Sequence, residues 1–266
     1  MSELDRILEF VCGIGDRAAG EKEPSAFGIA HLHDELPDVW SRNYLLATTN
    51  LDEADATSLA LEADRILGPR GLRHRKIEMI DDAAGERLEP GFRELGWLAQ
   101  CDVIMVSRRE PDRAPGTPAA EEVALDELIP AWEEGWRAEP RVENEGVVKQ
   151  LVDNRRVIAE LIDTRFFAVR LEGEVAGYCE LYSDGRTAQI ENVFTLQRFR
   201  RRGVARATVS RALEEARRGG NDLVFLLADR DDWPQQLYAK LGFDTIGRMW
   251  EFIRPGQGTV GEDSDL

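Results

Sequence analysis

The sequence predicts an α+β protein with a mixed, mostly antiparallel central sheet flanked by helices. Two features of the second half predict it. Antiparallel strands joined by short turns come first, and a strand–helix–strand unit follows them. Residues 223–228 then form a continuous apolar run, as a strand buried on both faces should.

In chain order, residues 44–48 read as a strand, 56–67 as a helix and 76–80 as a strand, with a further apolar strand at 103–106. The segment 107–118, SRREPDRAPGTP, sets three prolines and a glycine among charges and reads as a linker. A helical stretch over about 121–135 follows it. Over 147–162, Val148, Leu151, Val152, Ile158, Leu161 and Ile162 recur at helical spacing. Residues 166–171 and 175–182 read as strands joined by a turn around Gly173. Ser183-Asp184-Gly185 marks the next turn, and 187–196 a third strand. Over 204–218, Ala205, Val209, Ala212, Leu213 and Ala216 share one helical face, and Gly219-Gly220 ends the helix. A short helix over 234–241, closed by Gly242, and a last strand at 249–253 complete the pattern. The Gly-rich, acidic residues 256–266 read as a disordered tail.

A chain of 266 residues is long enough for one large domain or two of about 130 residues each. Its 42% hydrophobic content supports a core, and 32% charged residues suit a soluble, cytoplasmic protein. No apolar stretch approaches the ~20 residues of a bilayer span, so no membrane partner is expected. The first 20 residues carry acids throughout and lack the basic start and apolar middle of a signal peptide. A net charge of −17 argues against a nucleic-acid partner, because phosphate binding needs a surplus of Lys and Arg.

The charge is unevenly spread. Residues 1–130 hold 27 acids against 14 bases, a net of −13, whereas 131–266 hold 24 against 20. The acidic first half serves solubility or attracts a cationic ligand. Cys12, Cys101 and Cys179 are odd in number and widely spaced, which suggests reduced, mostly buried thiols. His31 and His33 alternate as on a strand, but no ligand cluster follows them, so no metal is expected.

The most informative segment is Gln197-Arg198-Phe199-Arg200-Arg201-Arg202-Gly203-Val204-Ala205, between a strand and a helix. Gly203 and Ala205 let a ligand come close to the backbone, and the helix start offers free amides and the positive dipole end. The arginines favour a pyrophosphate. By composition alone, a solvated basic helix start fits the same residues.

Arg200-x-x-Gly203-x-Ala205 resembles the acyl-CoA pyrophosphate motif of the GNAT N-acetyltransferase superfamily. Leu237-Tyr238-Ala239-Lys240-Leu241-Gly242-Phe243 is similar to that family's LY-x-K-x-GF segment, on the helix after the next strand. The resemblance covers about residues 145–254. Asp231 and Pro234 depart from it, standing where the family often has Asn and Ala.

The resemblance implies an acetyl-CoA-dependent N-acyltransferase that moves an acetyl group directly to a primary amine of a small molecule or peptide. Cofactor contacts would come from Arg200, Arg201, Arg202, Gly203, Val204, Ala205 and Arg206, and from the backbone of Val193, Phe194 and Thr195, on a strand that splays from its neighbour. Tyr238 matches the tyrosine that serves as general acid. Glu191, two residues before Val193, is placed to act as general base, with Glu180 a weaker candidate. The same positions also suit an exposed strand carboxylate and a packed helix aromatic. A non-catalytic acyl-CoA-binding or regulatory module is the alternative function, and a homodimer is a permitted assembly.

The first half reads as a worn second copy. Gly91-Phe92-Arg93-Glu94-Leu95-Gly96-Trp97 can be laid on Leu237 to Phe243, and the strands at 103–106 and 249–253 then correspond. The arginine loop is missing between Thr49 and Thr57, and Phe92 lacks the hydroxyl of Tyr238. The expected organisation is a degenerate GNAT-like domain at 1–110 without a CoA loop, a linker region at 111–130, a catalytic domain at 131–254 and a tail at 255–266.

Overall fold

The computed structural model describes residues 1–113, 116 and 118–256. In chain order it contains α1 (Glu3–Ala18), β1 (Glu21–Ser25), β2 (Gly28–Leu32), β3 (Tyr44–Ala47), α2 (Ala56–Leu67), β4 (Arg75–Met79), α3 (Asp82–Glu94) and β5 (Leu98–Ser107). The second half contributes β6 (Glu121–Val123), α4 (Leu125–Arg137), α5 (Glu145–Leu161), β7 (Asp163–Leu171), β8 (Glu174–Ser183) and β9 (Thr187–Thr195). It ends with α6 (Val204–Arg218), β10 (Leu223–Asp229), α7 (Pro234–Lys240) and β11 (Phe243–Arg254).

Local chemistry explains most of these boundaries. The β7–β8 hairpin turns on Glu172 and Gly173, both at positive φ (58° and 87°), the geometry whose twist matches a hairpin. Helix α6 begins at Gly203, at φ 81°, and runs to Arg218, where Gly219 caps it. Helix α1 opens with a reciprocal capping box: Asp5 N donates to Ser2 Oγ at 3.0 Å, and Ser2 N donates to Asp5 Oδ2 at 2.9 Å. Its buried face, Ile7, Phe10, Ile14 and Ala18, keeps helical spacing.

All eleven strands join one sheet, in the order β1-β2-β3-β4-β11-β5-β10-β9-β8-β7-β6. Among the described residues only β3–β4 and β9–β10 are parallel, each joined by a crossover helix (α2 and α6). The predicted class, a mixed and mostly antiparallel sheet flanked by helices, is the one observed. The order also shows an exchange. β11, from the second half, lies between β4 and β5, while β5, from the first half, lies between β11 and β10. Each repeat therefore completes its sheet with the other's last strand.

Burial drives the exchange. Trp250 and Phe252 of β11 enter the first-half core with Leu88, Phe92 and Trp97. Phe252 stacks on Phe92 with ring centroids 4.0 Å apart. Met105 and Val103 of β5 enter the second-half core with Val209, Leu226 and Phe243. Gly85 of α3 lets the helix lie on Trp250, since a Cβ there would sit 2.1 Å from the indole Cδ1. Trp250→Ala should therefore cost about 3–5 kcal/mol. Because β11 is shared, urea denaturation should show both halves lost in one transition; two separated transitions would contradict the shared core.

Several expectations needed correction. The helix expected over 121–135 begins only at Leu125; Glu121–Val123 instead pairs with β7, with Glu121 opposite Ala168 and Val123 opposite Phe166. Three residues of edge strand are too short to show a period, so the acidic run was absorbed into the helix after it. The linker region at 111–130 thus contains a strand and the start of α4. The strand expected at 249–253 begins six residues earlier, at Phe243, because β5 supplies a partner along its whole length. The first part of the expected linker is docked on the second half: Arg108 N and Arg109 N donate to Gly242 O, and Asp112 N donates to Lys240 O at 2.8 Å. Ala114, Pro115 and Thr117 of that linker, and residues 257–266 of the expected tail, lie outside the described residues. Helices α1 and α3 and strands β1 and β2 were not anticipated; α3 carries Gly85, Pro90 and Gly91, which hide its period.

Candidate functional site

The site forms where β9 and β10 part. They pair in parallel only from Thr187 opposite Leu223 to Ile190 opposite Leu226, although β9 continues to Thr195 and β10 to Asp229. A bulge on β9 causes the divergence. Opposite β8, Phe194 faces Tyr178 but Glu191 faces Glu180, so one residue of β9 is extra, and Asn192 sits in the left-handed region at φ 52°. A bulge bends and twists its strand away from a neighbour. Among the described residues the β10-side edge of Val193, Phe194 and Thr195 is thereby left without a strand partner, while the other edge of Phe194 and Thr195 still pairs with Tyr178 and Gly177 of β8.

Below this opening α6 begins. Its first intrahelical hydrogen bond runs from Ala207 N to Gly203 O at 3.1 Å, so the amides of Val204, Ala205 and Arg206 point out of the helix start. The predicted basic residues divide into two groups. Arg198 pairs with Glu134 and Glu174, Arg202 pairs with Glu172 at 2.6 Å, and both guanidiniums lie over the Phe199 ring. Arg206 is nearly buried and bound to Asp112 at 2.7 Å, which leaves its amide rather than its guanidinium for a ligand. Among the described residues Arg200 and Arg201 make no ion pair; Arg200 only donates to Thr195 O at 3.4 Å.

A cavity of about 390 Å³ extends from this slot across the face of the sheet. Val193, Phe194, Glu191 and Tyr238 all line it, so residues placed together by resemblance share one space. Glu191 is half-buried and accepts from Gln189 Nε2 at 2.5 Å. Burial pushes its carboxyl above the usual carboxylate range; Arg155 pulls against this and Glu180 adds to it. Glu180 itself is committed: it accepts from Tyr182 Oη at 2.5 Å and Asn192 Nδ2 at 2.6 Å, with Arg155 Nε at 3.6 Å. Tyr238 is buried, 6.4 Å from the Phe243 ring, and still borders the cavity.

The remaining walls were not anticipated. Tyr44, Glu78, Asp102 and Glu251 reach the cavity from β3, β4, β5 and β11, and Arg155 reaches it from α5. None of them lies in a motif. The four on strands are polar positions within largely apolar segments, and Arg155 is a polar position of a helix; either reads equally well as a solvated face.

The first half repeats the frame but closes its helix start. β3 and β4 run parallel from Leu45 opposite Ile77 to Ala47 opposite Met79, and α2 follows as α6 does in the second half. The N-cap of α2 is Asp55, whose Oδ1 accepts from Ser58 N at 2.7 Å, with Asp52 and Glu53 in the turn before it. Carboxylates occupy the place where a phosphate would bind, so this helix end repels one. The matched segments agree in Gly96 and Gly242 (φ 77° and 93°) and in buried Trp97 and Phe243. They disagree at Leu95, which is exposed where Leu241 is fully buried.

A parallel strand pair that parts above a glycine-led helix start, present as a frame in both halves with one start closed, makes this a doubled α+β fold. Residues 124–243 match the model of the Acetyltransferase (GNAT) family. No curated protein matches the chain. Among solved structures, a GCN5-related N-acetyltransferase from Kribbella flavida superposes with a TM-score of 0.63 at 20% identity, covering 95% of both chains. A conserved Staphylococcus epidermidis protein of unknown function gives 0.65 at 15% identity, covering 89% of this chain and 94% of that one. A tandem GNAT protein from the clavulanic acid biosynthesis pathway gives 0.51 at 16% identity, covering 78% of this chain and 70% of that one. These likenesses establish the fold, including its doubled form. No helix among the described residues is long and apolar enough to cross a membrane.

Proposed function

We propose that the second half is an acetyl-CoA-dependent N-acetyltransferase acting on a primary amine. The observation that carries this reading is the parting of β9 and β10 directly above the helix start at Gly203, with Glu191 and Tyr238 on one cavity. The amides of Val204, Ala205 and Arg206 would receive the pyrophosphate, and Arg200 and Arg201 would add charge. The ion pair of Arg202 with Glu172 is exposed and worth little, so a phosphate can displace it. The unpaired edge of Val193–Thr195 would hydrogen-bond the amides of the pantetheine arm.

Transfer then needs two proton movements. The neutral amine attacks the thioester carbonyl, forming the C–N bond, and the C–S bond breaks. The proton lost by nitrogen passes to Glu191, directly or through water, and the Tyr238 hydroxyl supplies one to the departing sulfur. Solvent restores both groups. A carboxyl held above its ordinary range is a stronger base than a free one, which suits Glu191 to this role.

The test is CoA release from acetyl-CoA with a panel of aminoglycosides, polyamines, amino acids and peptide N-termini. Release that depends on an amine supports the reading; CoA binding with no release from any of them favours the non-catalytic module. With an active acceptor, kcat/KM should rise with pH through the Glu191 ionisation, because only the carboxylate accepts a proton. That acid limb should lie above the ordinary carboxylate range and vanish in Glu191→Gln. An unchanged limb in the variant would assign the base elsewhere.

A further inference from the structure

Among the described residues eight carboxylates and four basic side chains line the cavity, so its field is net negative. The floor carries two pairs of carboxyl groups directly across strands, and ionising both members of a pair costs stability unless a cation lies between. Glu78 of β4 faces Glu251 of β11, and here the protein supplies the cation: Lys76 Nζ lies 2.9 Å from Glu78 and 2.8 Å from Glu251. Asp102 of β5 faces Asp229 of β10, and no cation of the described chain pairs with either. Asp229 accepts only from Asp231 N, at 2.7 Å, and Asp102 only from Gln100 Nε2, at 3.3 Å. A separate polar group is also left over at the same cavity. Tyr44, 4% exposed, lines it, and its hydroxyl has no hydrogen-bond partner among the described residues.

We infer that the cavity takes an acceptor with two ammonium groups, and that the first half, silent toward CoA, supplies the wall that binds the non-reacting one. Asp102, with Asp229 beside it, holds that second ammonium, and the Tyr44 hydroxyl accepts from a further donor on the acceptor. The reacting amine lies two strands away at Glu191, just past the point where β9 and β10 part, and so at least about 10 Å away at the backbone. The inference rests on the acetyltransfer reading only for which amine reacts; the binding of a dication stands apart from it. Burial, together with Glu251, Asp229 and Glu191, holds the Asp102 carboxyl well above the carboxylate range, and an adjacent ammonium would reverse this. The strand exchange gains a purpose here, since it brings β5, and with it Asp102, next to β10.

Calorimetric titration of the CoA-bound protein with 1,6-diaminohexane, against hexylamine as the single-charge control, tests the inference without turnover. The diamine should bind at least tenfold more tightly than hexylamine. Asp102→Asn, a change of charge at constant size, should weaken the diamine roughly 10- to 100-fold. The variant should melt no lower than the wild type, because it removes a carboxylate that has no counter-charge; if it does melt lower, Asp229→Asn is the second variant. Equal affinity for the two amines, or a diamine affinity indifferent to both substitutions, overturns the inference. Amine-dependent CoA release with equal affinities leaves the acetyltransfer reading standing and this one fallen. Asp102-sensitive diamine binding without any CoA release does the reverse.

Discussion

Gly203→Glu is expected to abolish CoA binding while the fold survives. Gly203 sits at φ 81°, in the left-handed region, directly before the free amides of α6. A side chain there is strained by roughly 1–2 kcal/mol, and a glutamate would set a carboxylate beside those amides. The added carboxylate also neutralises the helix end, as Asp55 does in the first half. Loss of calorimetric CoA binding by at least 100-fold, with unchanged circular dichroism, is the expected result. Gly203→Ala separates the causes, since it carries the strain without the charge and should lose far less. Wild-type affinity in the glutamate variant would remove the loop from the mechanism.

Tyr238→Phe should lower kcat by roughly 10²–10⁴-fold with little change in KM, the pattern of a group that acts only in the transition state. The ring is buried beside Phe243, and phenylalanine keeps that packing, so the substitution isolates the hydroxyl. Phe92 at the matching place in the first half shows that the frame accepts a ring without a hydroxyl there; it is fully buried and stacked on Phe252. An unchanged kcat would mean that the thiolate leaves unaided or takes its proton from another group.

Particular residues show how far the sequence reaches. Helices α2 and α6 have the bounds their apolar spacing predicts, Ala56–Leu67 and Val204–Arg218. The turn at Gly173 and the glycine before α6 were equally legible. These depend on neighbours within four residues, and such short-range effects are written into any local stretch of chain. Helix α3 escaped because Gly85, Pro90 and Gly91 weaken its pattern, and the reason for Gly85 is the distant Trp250.

By itself the sequence determined the α+β class, the strand–helix–strand frame and the glycine-led helix start. Only the tertiary structure decided that β5 and β11 change places, that β9 and β10 part beyond Ile190, and that Asp102 and Asp229 stand opposite each other. The physical reason is the range of the forces. Capping, turn geometry and helical period act between close neighbours in the chain, whereas a strand's partner is chosen by where its large side chains find burial. Trp250 and Phe252 find theirs some 150 residues back in the chain, against Phe92 and Trp97.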